Sequence, residues 1–216
     1  MANSTAKEHI IQSIQEGLSF AMFKKIEPVS WNKKEIFADS EISLIEIFQE
    51  ELVKIKGEFF PCQNRIELIE KLRKIHSERN LGLCYSPDKK FNDVLEQAGI
   101  PYSIEFKNKE QIKSGISCCE FLIARFGSVM VSSAQAGARR IFSFPEIHII
   151  IADEDQLVME IEDGLDGVRK KYGDSIPSQI TNICGPSRTA DIEKTLILGA
   201  HGPKQFLVFV LNNDKL

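Results

Sequence analysis

The sequence has few cysteines and no cysteine motif. The five are Cys62, Cys84, Cys118, Cys119 and Cys184; no two form a Cys-x-x-Cys pair, and their number is odd. A disulfide framework or a zinc ribbon needs paired, regularly spaced cysteines, and an iron–sulfur cluster needs several thiolates close together. We therefore expect buried, reduced thiols, and no metal or cofactor in this chain.

Positive charge is not in excess. Lysine and arginine number 27 against 31 acidic residues, which gives a net charge of −4. Nucleic-acid binding depends on a basic face that neutralises phosphates, so we expect no nucleic-acid partner. No apolar run reaches the length of a membrane span, and the polar stretch "MANSTAKEHIIQ" lacks the apolar core of a signal peptide. These features predict a cytoplasmic protein without a membrane span.

Apolar residues make up 43% of the 216 positions, enough for the core of a single domain. Apolar residues at helical spacing fill residues 1–56, and beyond them short apolar runs alternate with further helical patterns. The alternation predicts an α/β domain over residues 1–216, with a mostly parallel sheet covered by helices and residues 1–56 as a helical N-terminal extension packed on the core. The predicted strands include "EFFPC", "LGLCY", "IPYSIEF", "EIHIIIA", "ITNIC" and "FLVFVL".

Three local patterns give sharper expectations. The apolar runs on either side of Arg125-Phe126-Gly127 predict a bent strand or a hairpin. Asp153, followed by Gln156, is typical of a helix start, and the apolar spacing continues that helix to Val168. The stretch "ADIEKTLILG" predicts a short helix before the last strand.

The first candidate site follows the predicted strand "ITNIC". Ligands gather where parallel strands end, and here the chain continues as Gly185-Pro186-Ser187-Arg188-Thr189. Ser187 or Thr189 would cap the next helix, whose free amides favour an anion, and Arg188 offers a fork for carboxylate or phosphate. Asp191 and Glu193 would balance the helix dipole or orient Arg188. The alternative is an ordinary capped helix.

A second candidate site lies in "VSSAQAGARR". Small residues and arginines suit the binding of an anion, and the alternative is a solvated surface loop. The residues concerned are Ser132, Ser133, Gly137, Arg139 and Arg140.

Two histidines invite separate interpretations. His201 lies between Gly199 and Gly202. It either contacts a ligand or is a turn histidine that donates hydrogen bonds to helix carbonyls. We expect it near the amino end of the last strand and at the opposite end of its helix from Arg188. His148 lies in a predicted strand, where a core or edge histidine is the more ordinary interpretation than a metal ligand.

Four stretches occur in an order that resembles the lactate-utilisation protein C family, also called the LUD domain. They are "EFLIARFGS", "VSSAQAGARR", "PEIHIIIADEDQLV" and "GPSRTADIEKTLILGAHGPKQFLVFVL". The resemblance covers roughly residues 115–211 and is weak over the first third. It implies the fold shared by 5-formyltetrahydrofolate cyclo-ligase, ribose-phosphate isomerase and CoA transferase. It also implies a role in oxidising L-lactate to pyruvate, as the cluster-free component beside iron–sulfur protein partners.

The chain departs from that family at one place. Many members read Ala-Glu-Thr-Gly-Thr where this chain has Ala124-Arg125-Phe126-Gly127-Ser128, so Arg125 replaces a carboxylate and favours an anion. Three functions stay open. One is an accessory subunit that binds a small carboxylate or phosphate and its iron–sulfur partners. Another is a free-standing isomerase or CoA-transferase-like enzyme acting on a small phosphorylated or carboxylate substrate. The third is a purely structural interaction protein.

Overall fold

The computed structural model describes residues 6–20, 42–107, 109–190, 196–199 and 201–212. The chain divides into two compact units, with the boundary between Glu41 and Ile42. In the first, helix α1 (Ala6–Phe20) confirms the helix predicted around Ile10 and Ile14. The prediction of one domain over residues 1–216 stays a prediction.

The second unit carries the sheets. Its helices are α2 (Leu44–Lys54), α3 (Arg65–Arg79), α4 (Asn92–Ala98), α5 (Ala138–Ile141) and α6 (Ile161–Tyr172). Its first six strands are β1 (Glu58–Cys62), β2 (Leu83–Tyr85), β3 (Tyr102–Ser103), β4 (Ile112–Ser117), β5 (Phe121–Ile123) and β6 (Ser128–Ser132). The remaining strands within the described residues are β7 (Ile147–Asp153), β8 (Leu157–Val158), β9 (Ile180–Ile183), β10 (Arg188–Ala190), β11 (Leu196–Leu198) and β12 (Gln205–Leu211).

The main sheet has six strands in the order β1-β12-β7-β4-β2-β3, and all of its neighbours run parallel. Helices α3 and α4 pack on one face, where Leu72 and Leu95 are buried. Phe48 and Leu52 of α2 are buried on the other face, together with residues of a second sheet. The predicted α/β fold with a mostly parallel, helix-covered sheet is confirmed.

The helix ends follow from capping residues. Ser43 precedes α2, and its backbone N–H donates to the Oε2 atom of Glu46 at 3.1 Å, which completes a capping box. The side chain of Asn64 accepts from the backbone N–H of Glu67 at 3.0 Å, so α3 begins where the sequence predicts.

The second sheet has the order β8-β5-β6-β9. Strands β5 and β6 are antiparallel neighbours, which confirms the predicted hairpin. Strand β9 contains the first four residues of "ITNIC" and pairs antiparallel with β6, so the prediction that this strand belongs to the parallel sheet is wrong. The reason is in the pattern: Thr181 and Asn182 are polar, and such a strand suits a half-exposed sheet edge.

The helix predicted to start at Asp153 begins later. The expected bond exists, because the backbone N–H of Asp153 donates to the Oε1 atom of Gln156 at 2.9 Å. It stabilises only a 3₁₀ turn, however, and α6 starts at Ile161. The intervening Leu157 and Val158 pair with β5 as a short strand, so sheet pairing overrides their helical spacing.

The helix predicted from "ADIEKTLILG" is also wrong. Strands β10 and β11 form an antiparallel pair in which Thr189 lies opposite Ile197, and residues 191–195 lie outside the described residues. None of the helices in the described part of the chain has the length and apolar character needed to cross a bilayer.

Candidate functional site

A cavity of about 450 Å³ lies where strands β2 and β6 end. Four of the residues singled out in the sequence line it: Ser133, Gly137, Arg139 and Arg140. The remaining lining residues are Tyr85, Gln135 and Ser178. The second candidate site of the sequence is therefore a concave surface.

The turn after β6 is held in place by side-chain bonds. The backbone N–H of Ser132 donates to the Oε1 atom of Gln135 at 3.0 Å, and the Oγ atom of Ser132 accepts from the backbone N–H of Ala134 at 3.2 Å. The Nε2 atom of Gln135 lies 3.4 Å from the Sγ atom of Cys118, which follows β4. The cavity wall is thus tied to the carboxyl end of the parallel sheet, where α/β folds place ligands.

Gly137 lets the chain pass close to β2. Its φ is +66°, and an added Cβ would lie 2.4 Å from the Cγ atom of Pro87 and 2.9 Å from the hydroxyl of Tyr85. A side chain here would both strain the backbone and collide with the cavity wall. The glycine therefore shapes the site.

The two arginines present cationic groups beside hydroxyls. The Nη2 atom of Arg139 donates to the Oγ atom of Ser178 at 3.0 Å, and that oxygen lies 3.2 Å from the Oγ atom of Ser133. The guanidinium of Arg140 lies over the ring of Phe106, 5.5 Å from its centroid. Within the described ranges neither arginine is ion-paired with a carboxylate. Both can accordingly donate to an incoming anion.

A buried carboxylate next to the cavity was missed by the sequence reasoning. Glu120 is only 3% exposed. It accepts from the hydroxyl of Ser132 at 2.6 Å, the hydroxyl of Tyr172 at 2.8 Å and the ammonium of Lys171 at 2.8 Å. Its place in the short link between β4 and β5 was the available signal, because the carboxyl edge of a parallel sheet is where polar groups meet. Lys171 and Tyr172, 51 and 52 positions away, carried no such signal.

Opposing effects act on the acidity of Glu120. Burial alone would raise the pKa of this carboxyl, but the bonds from Lys171, Ser132 and Tyr172 outweigh it and hold the pKa below its ordinary value. The carboxyl is therefore ionised at neutral pH. Burial alone would lower the pKa of the Lys171 ammonium, but the hydrogen bond to the Glu120 carboxylate and its negative charge raise that pKa above its ordinary value. Glu120 is thus an ionised anchor of the segment that lines the cavity.

Arg125 is not brought together with the cavity. It lies in a 3₁₀ turn after β5, and its Nε atom is bound to the carboxylate of Glu160. Gly127 follows with φ +56°, and a Cβ there would lie 2.0 Å from the backbone N of Leu52. The proposed anion contact of Arg125 stays a prediction, with an acid already at its guanidinium.

Ser187, Arg188 and Thr189 are in an extended segment instead of at a helix start. The backbone N–H of Ser187 donates to the carbonyl of Pro203 at 2.8 Å, so this amide is already occupied. Arg188 is exposed at the start of β10, and Asp191 lies outside the described residues. Helix amides therefore do not support an anion site here, and Arg188 as a ligand stays a prediction.

His201 borders a second cavity, of about 470 Å³, at the amino ends of β7 and β12. His201 lies before the last strand, as predicted. The prediction that it lies at the opposite end of a helix from Arg188 is wrong. The backbone N–H of Gly199 donates to the carbonyl of Ser187 at 2.9 Å, because the β10–β11 pair folds the chain back on itself. The lining residues are Ser143, Phe144, Glu146, Gly199, His201, Gly202 and Lys204.

His148 is a core histidine, as expected. It is fully buried between the rings of Phe142 and Phe206, and its Nε2 atom lies 3.0 Å from the Oγ atom of Ser117. Burial lowers the pKa of this imidazole to about 3, so the ring is neutral. Over the residues described, no group of three or more His, Cys, Asp or Glu side chains could hold a metal ion.

The cysteines fall into two classes. Cys62, Cys84 and Cys119 are buried, as expected, whereas Cys118 is half-buried and Cys184 is exposed. Burial raises the pKa of Cys62 to about 11 and that of Cys84 to about 12. The buried thiols are therefore unreactive at neutral pH.

Comparison with known proteins identifies relatives of the sheet-bearing unit. The model of the LUD domain matches residues 104–211. Lactate utilization protein C of Bacillus subtilis is 32% identical over 111 residues, which cover 50% of this chain and 46% of that protein. An uncharacterised protein of Neisseria meningitidis is 31% identical over 49% of this chain and 45% of its own length.

A longer match is found with lactate utilization protein C of Oceanobacillus iheyensis, 26% identical over 77% of this chain and 76% of that protein. The chain spans about half the length of the first curated relatives it matches. Among solved structures, a DUF162 family protein from Deinococcus radiodurans has a TM-score of 0.58 at 17% identity, covering 79% of this chain and 99% of that one. That likeness concerns the fold alone.

Proposed function

The chain belongs to the LUD domain family, and on that premise we propose that it takes part in lactate utilisation. It does so as a component without an iron–sulfur cluster of its own, and it binds a small carboxylate or phosphate. The names of its relatives from Bacillus subtilis and Oceanobacillus iheyensis support a role in lactate utilisation. Our proposal specifies the oxidation of L-lactate to pyruvate, which the sequence resemblance implies.

One observation carries the binding proposal. Arg139 and Arg140 line the same cavity as the hydroxyls of Ser133 and Ser178, and within the described residues neither arginine is held by an acid. A guanidinium fork matches the two oxygens of a carboxylate or the oxygens of a phosphate. Serine hydroxyls add short, neutral donors.

The redox chemistry of the proposed system falls to partner proteins. The five cysteines include no Cys-x-x-Cys pair. Three of them, Cys62, Cys84 and Cys119, are buried, and burial raises their thiol pKa values above the ordinary value. Such thiols are poor cluster ligands. We therefore place the iron–sulfur clusters in the partners and expect this chain to be purified without iron or visible absorbance.

The alternative, a CoA-transferase-like enzyme, needs a carboxylate that reaches its substrate. Glu120 is the buried acid beside the cavity, but its oxygens already accept from Ser132, Lys171 and Tyr172. Three hydrogen-bond donors hold this carboxylate in place and reduce its nucleophilicity, so it is suited to a structural role and not to attack on a substrate. This favours the accessory component over the enzyme.

The experiment is a calorimetric titration with lactate, pyruvate and inorganic phosphate. Replacing Arg139 or Arg140 by alanine removes charge-assisted bonds of about 1.5–3 kcal/mol, so binding should weaken roughly ten- to a hundredfold. Arg188→Ala is the matched control, because it removes an exposed arginine outside the cavity. If Arg188→Ala weakens binding while the cavity variants bind normally, the anion site is at β10 and the cavity proposal fails.

A further inference from the structure

Tyr85 is a buried tyrosine at the end of β2. The residue is only 4% exposed, and its ring packs with Ile112 and Ile141. The ring also meets that of Phe106 edge-on, at 5.0 Å between centroids. Across the described residues, no hydrogen bond engages its hydroxyl. Buried tyrosines usually find a partner for this group, so the hydroxyl is suited to a partner that a ligand would bring.

The hydroxyl of Tyr85 opens onto the cavity that holds Arg139 and Arg140. Tyr85 is one of the lining residues, and its oxygen lies 2.9 Å from the position that a Cβ on Gly137, another lining residue, would occupy. The oxygen is not among the enclosed side-chain atoms of the described residues that lack a partner, so it is accessible from the cavity. The buried ring therefore fixes a hydroxyl that faces the space where a ligand would bind.

The other neutral polar side chains of the cavity wall are already engaged. Both ends of the Gln135 amide are bonded to the protein. The hydroxyls of Ser133 and Ser178 lie 3.2 Å apart, and the oxygen of Ser178 also accepts from Arg139. Among the described residues of this wall, the hydroxyl of Tyr85 is thus the neutral group that keeps its full capacity, with one proton to donate and lone pairs to accept.

Tyr85 and Arg140 lie against the same ring. The guanidinium of Arg140 is 5.5 Å from the centroid of Phe106, and the ring of Tyr85 contacts Phe106 as well. A cation and a neutral hydroxyl therefore border one part of the cavity. This arrangement suits a ligand that carries a charged group and a neutral oxygen on adjacent carbons.

We propose that Tyr85 is the specificity-determining residue of this site, whose hydroxyl bonds the neutral oxygen next to the charged group of the ligand. The carboxylate of a short acid binds at Arg139 and Arg140, and an oxygen on carbon 2 bonds Tyr85. The inference rests on the proposed anion site and adds the recognition of the neighbouring oxygen. Because a phenol both donates and accepts, it bonds a hydroxyl and a keto oxygen alike.

The energetic reason is the cost of an unpaired hydroxyl. A phenol that is accessible to water is hydrogen-bonded by water, so a ligand that covers it must replace that bond. An acid without an oxygen on carbon 2 leaves the hydroxyl of Tyr85 unpaired, whereas a 2-hydroxy or 2-oxo acid restores the bond. The two kinds of acid should therefore differ in affinity.

The experiment uses propionate, L-lactate and pyruvate, which have equal charge and carbon number and differ only at carbon 2. Each is titrated calorimetrically into the wild type, Tyr85→Phe, Arg140→Ala and Tyr102→Phe. The first variant removes the hydroxyl and keeps the ring against Phe106. Tyr102→Phe is the matched control, because the hydroxyl of Tyr102 bonds Glu96 at 2.7 Å and the residue is not part of the cavity wall. Circular dichroism melts check that each variant is folded.

We expect the wild type to bind L-lactate and pyruvate about two- to tenfold more tightly than propionate, which is the range for one neutral hydrogen bond. Tyr85→Phe should bind all three acids with the affinity that the wild type has for propionate, and Tyr102→Phe should keep the preference.

Three results would overturn the role of Tyr85 and leave the anion site standing, provided that Arg140→Ala weakens all three acids. They are equal binding of the acids to the wild type, a preference that persists in Tyr85→Phe, and a loss of propionate binding in Tyr85→Phe as large as that of L-lactate and pyruvate. If no acid binds, or if Arg140→Ala weakens none of them, the anion site fails and the inference fails with it.

Discussion

Replacing Glu120 by glutamine should destabilise the protein far more than an ordinary surface substitution. The glutamine keeps the shape of the side chain and one carbonyl oxygen, which can still accept from Ser132 and Tyr172. Its amide group takes the place of the oxygen that now accepts from Lys171 at 2.8 Å, so a donor would face a donor. The change removes charge without removing volume.

The magnitude follows from the bonds that are lost or weakened. A hydrogen bond to a charged group contributes about 1.5–3 kcal/mol, and neutral bonds contribute roughly half as much. Lys171 is 58% exposed and can turn into water, so no buried ammonium is left behind. We therefore expect Glu120→Gln to lower the free energy of unfolding by about 2–4 kcal/mol at pH 7.

The assay is urea unfolding at several pH values, with Glu146→Gln as the control. Glu146 makes an exposed ion pair with Lys204, for which about 0–1 kcal/mol is expected. Because the pKa of Glu120 is lowered by folding, its stabilisation is present above the unfolded pKa of about 4.3 and is lost as the pH falls through the folded value. Equal losses in the two variants, or a Glu120→Gln loss that persists in acid, would refute the reasoning.

Three further predictions concern other parts of the fold. The pKa of His148 is about 3 in the folded protein and about 6.5 in the unfolded chain, so the unfolded chain binds a proton first as the pH is lowered. The free energy of unfolding of the wild type should therefore decrease as the pH falls from about 6.5 to about 3, by up to about 1.4 kcal/mol per pH unit. Urea midpoints of His148→Leu should show a flatter pH dependence. Gly137→Ala should weaken phosphate binding and lower the urea midpoint, since its Cβ meets Pro87. Native thiol labelling should modify Cys184 quickly and Cys84 only after unfolding.

The sheet could be predicted from the sequence where strands are apolar on both faces. "EIHIIIA" and "FLVFVL" became the central strands β7 and β12, because such runs are stable only between covering layers. "ITNIC" and "ADIEKTLILG" failed because their spacing fits two structures. Strand β9 pairs with β6, which lies far away in the sequence, and a local pattern does not contain that partner. Strand β11 pairs with β10 only a few residues before it, so a local antiparallel pair formed in place of the helix.

The cavity that holds Arg139 and Arg140 was predictable in part, because several of its residues are close together in the sequence. Ser133, Gly137, Arg139 and Arg140 lie within eight positions, so a local pattern was enough to bring them together. Ser178, which bonds Arg139, comes from 39 positions further along the chain. The bonds between Glu120 and the end of α6 likewise depend on tertiary packing alone.

The most direct test of the central claim is growth on L-lactate as the sole carbon source, in the organism that encodes this chain with the gene deleted. Plasmids then supply the wild type, the Arg139→Ala/Arg140→Ala double variant or Arg188→Ala, with protein levels matched by immunoblot. The account predicts that the deletion prevents growth on lactate but not on glucose, and that the wild type and Arg188→Ala restore growth while the double variant does not. Normal growth of the deletion strain on lactate, or full rescue by the double variant, would contradict it.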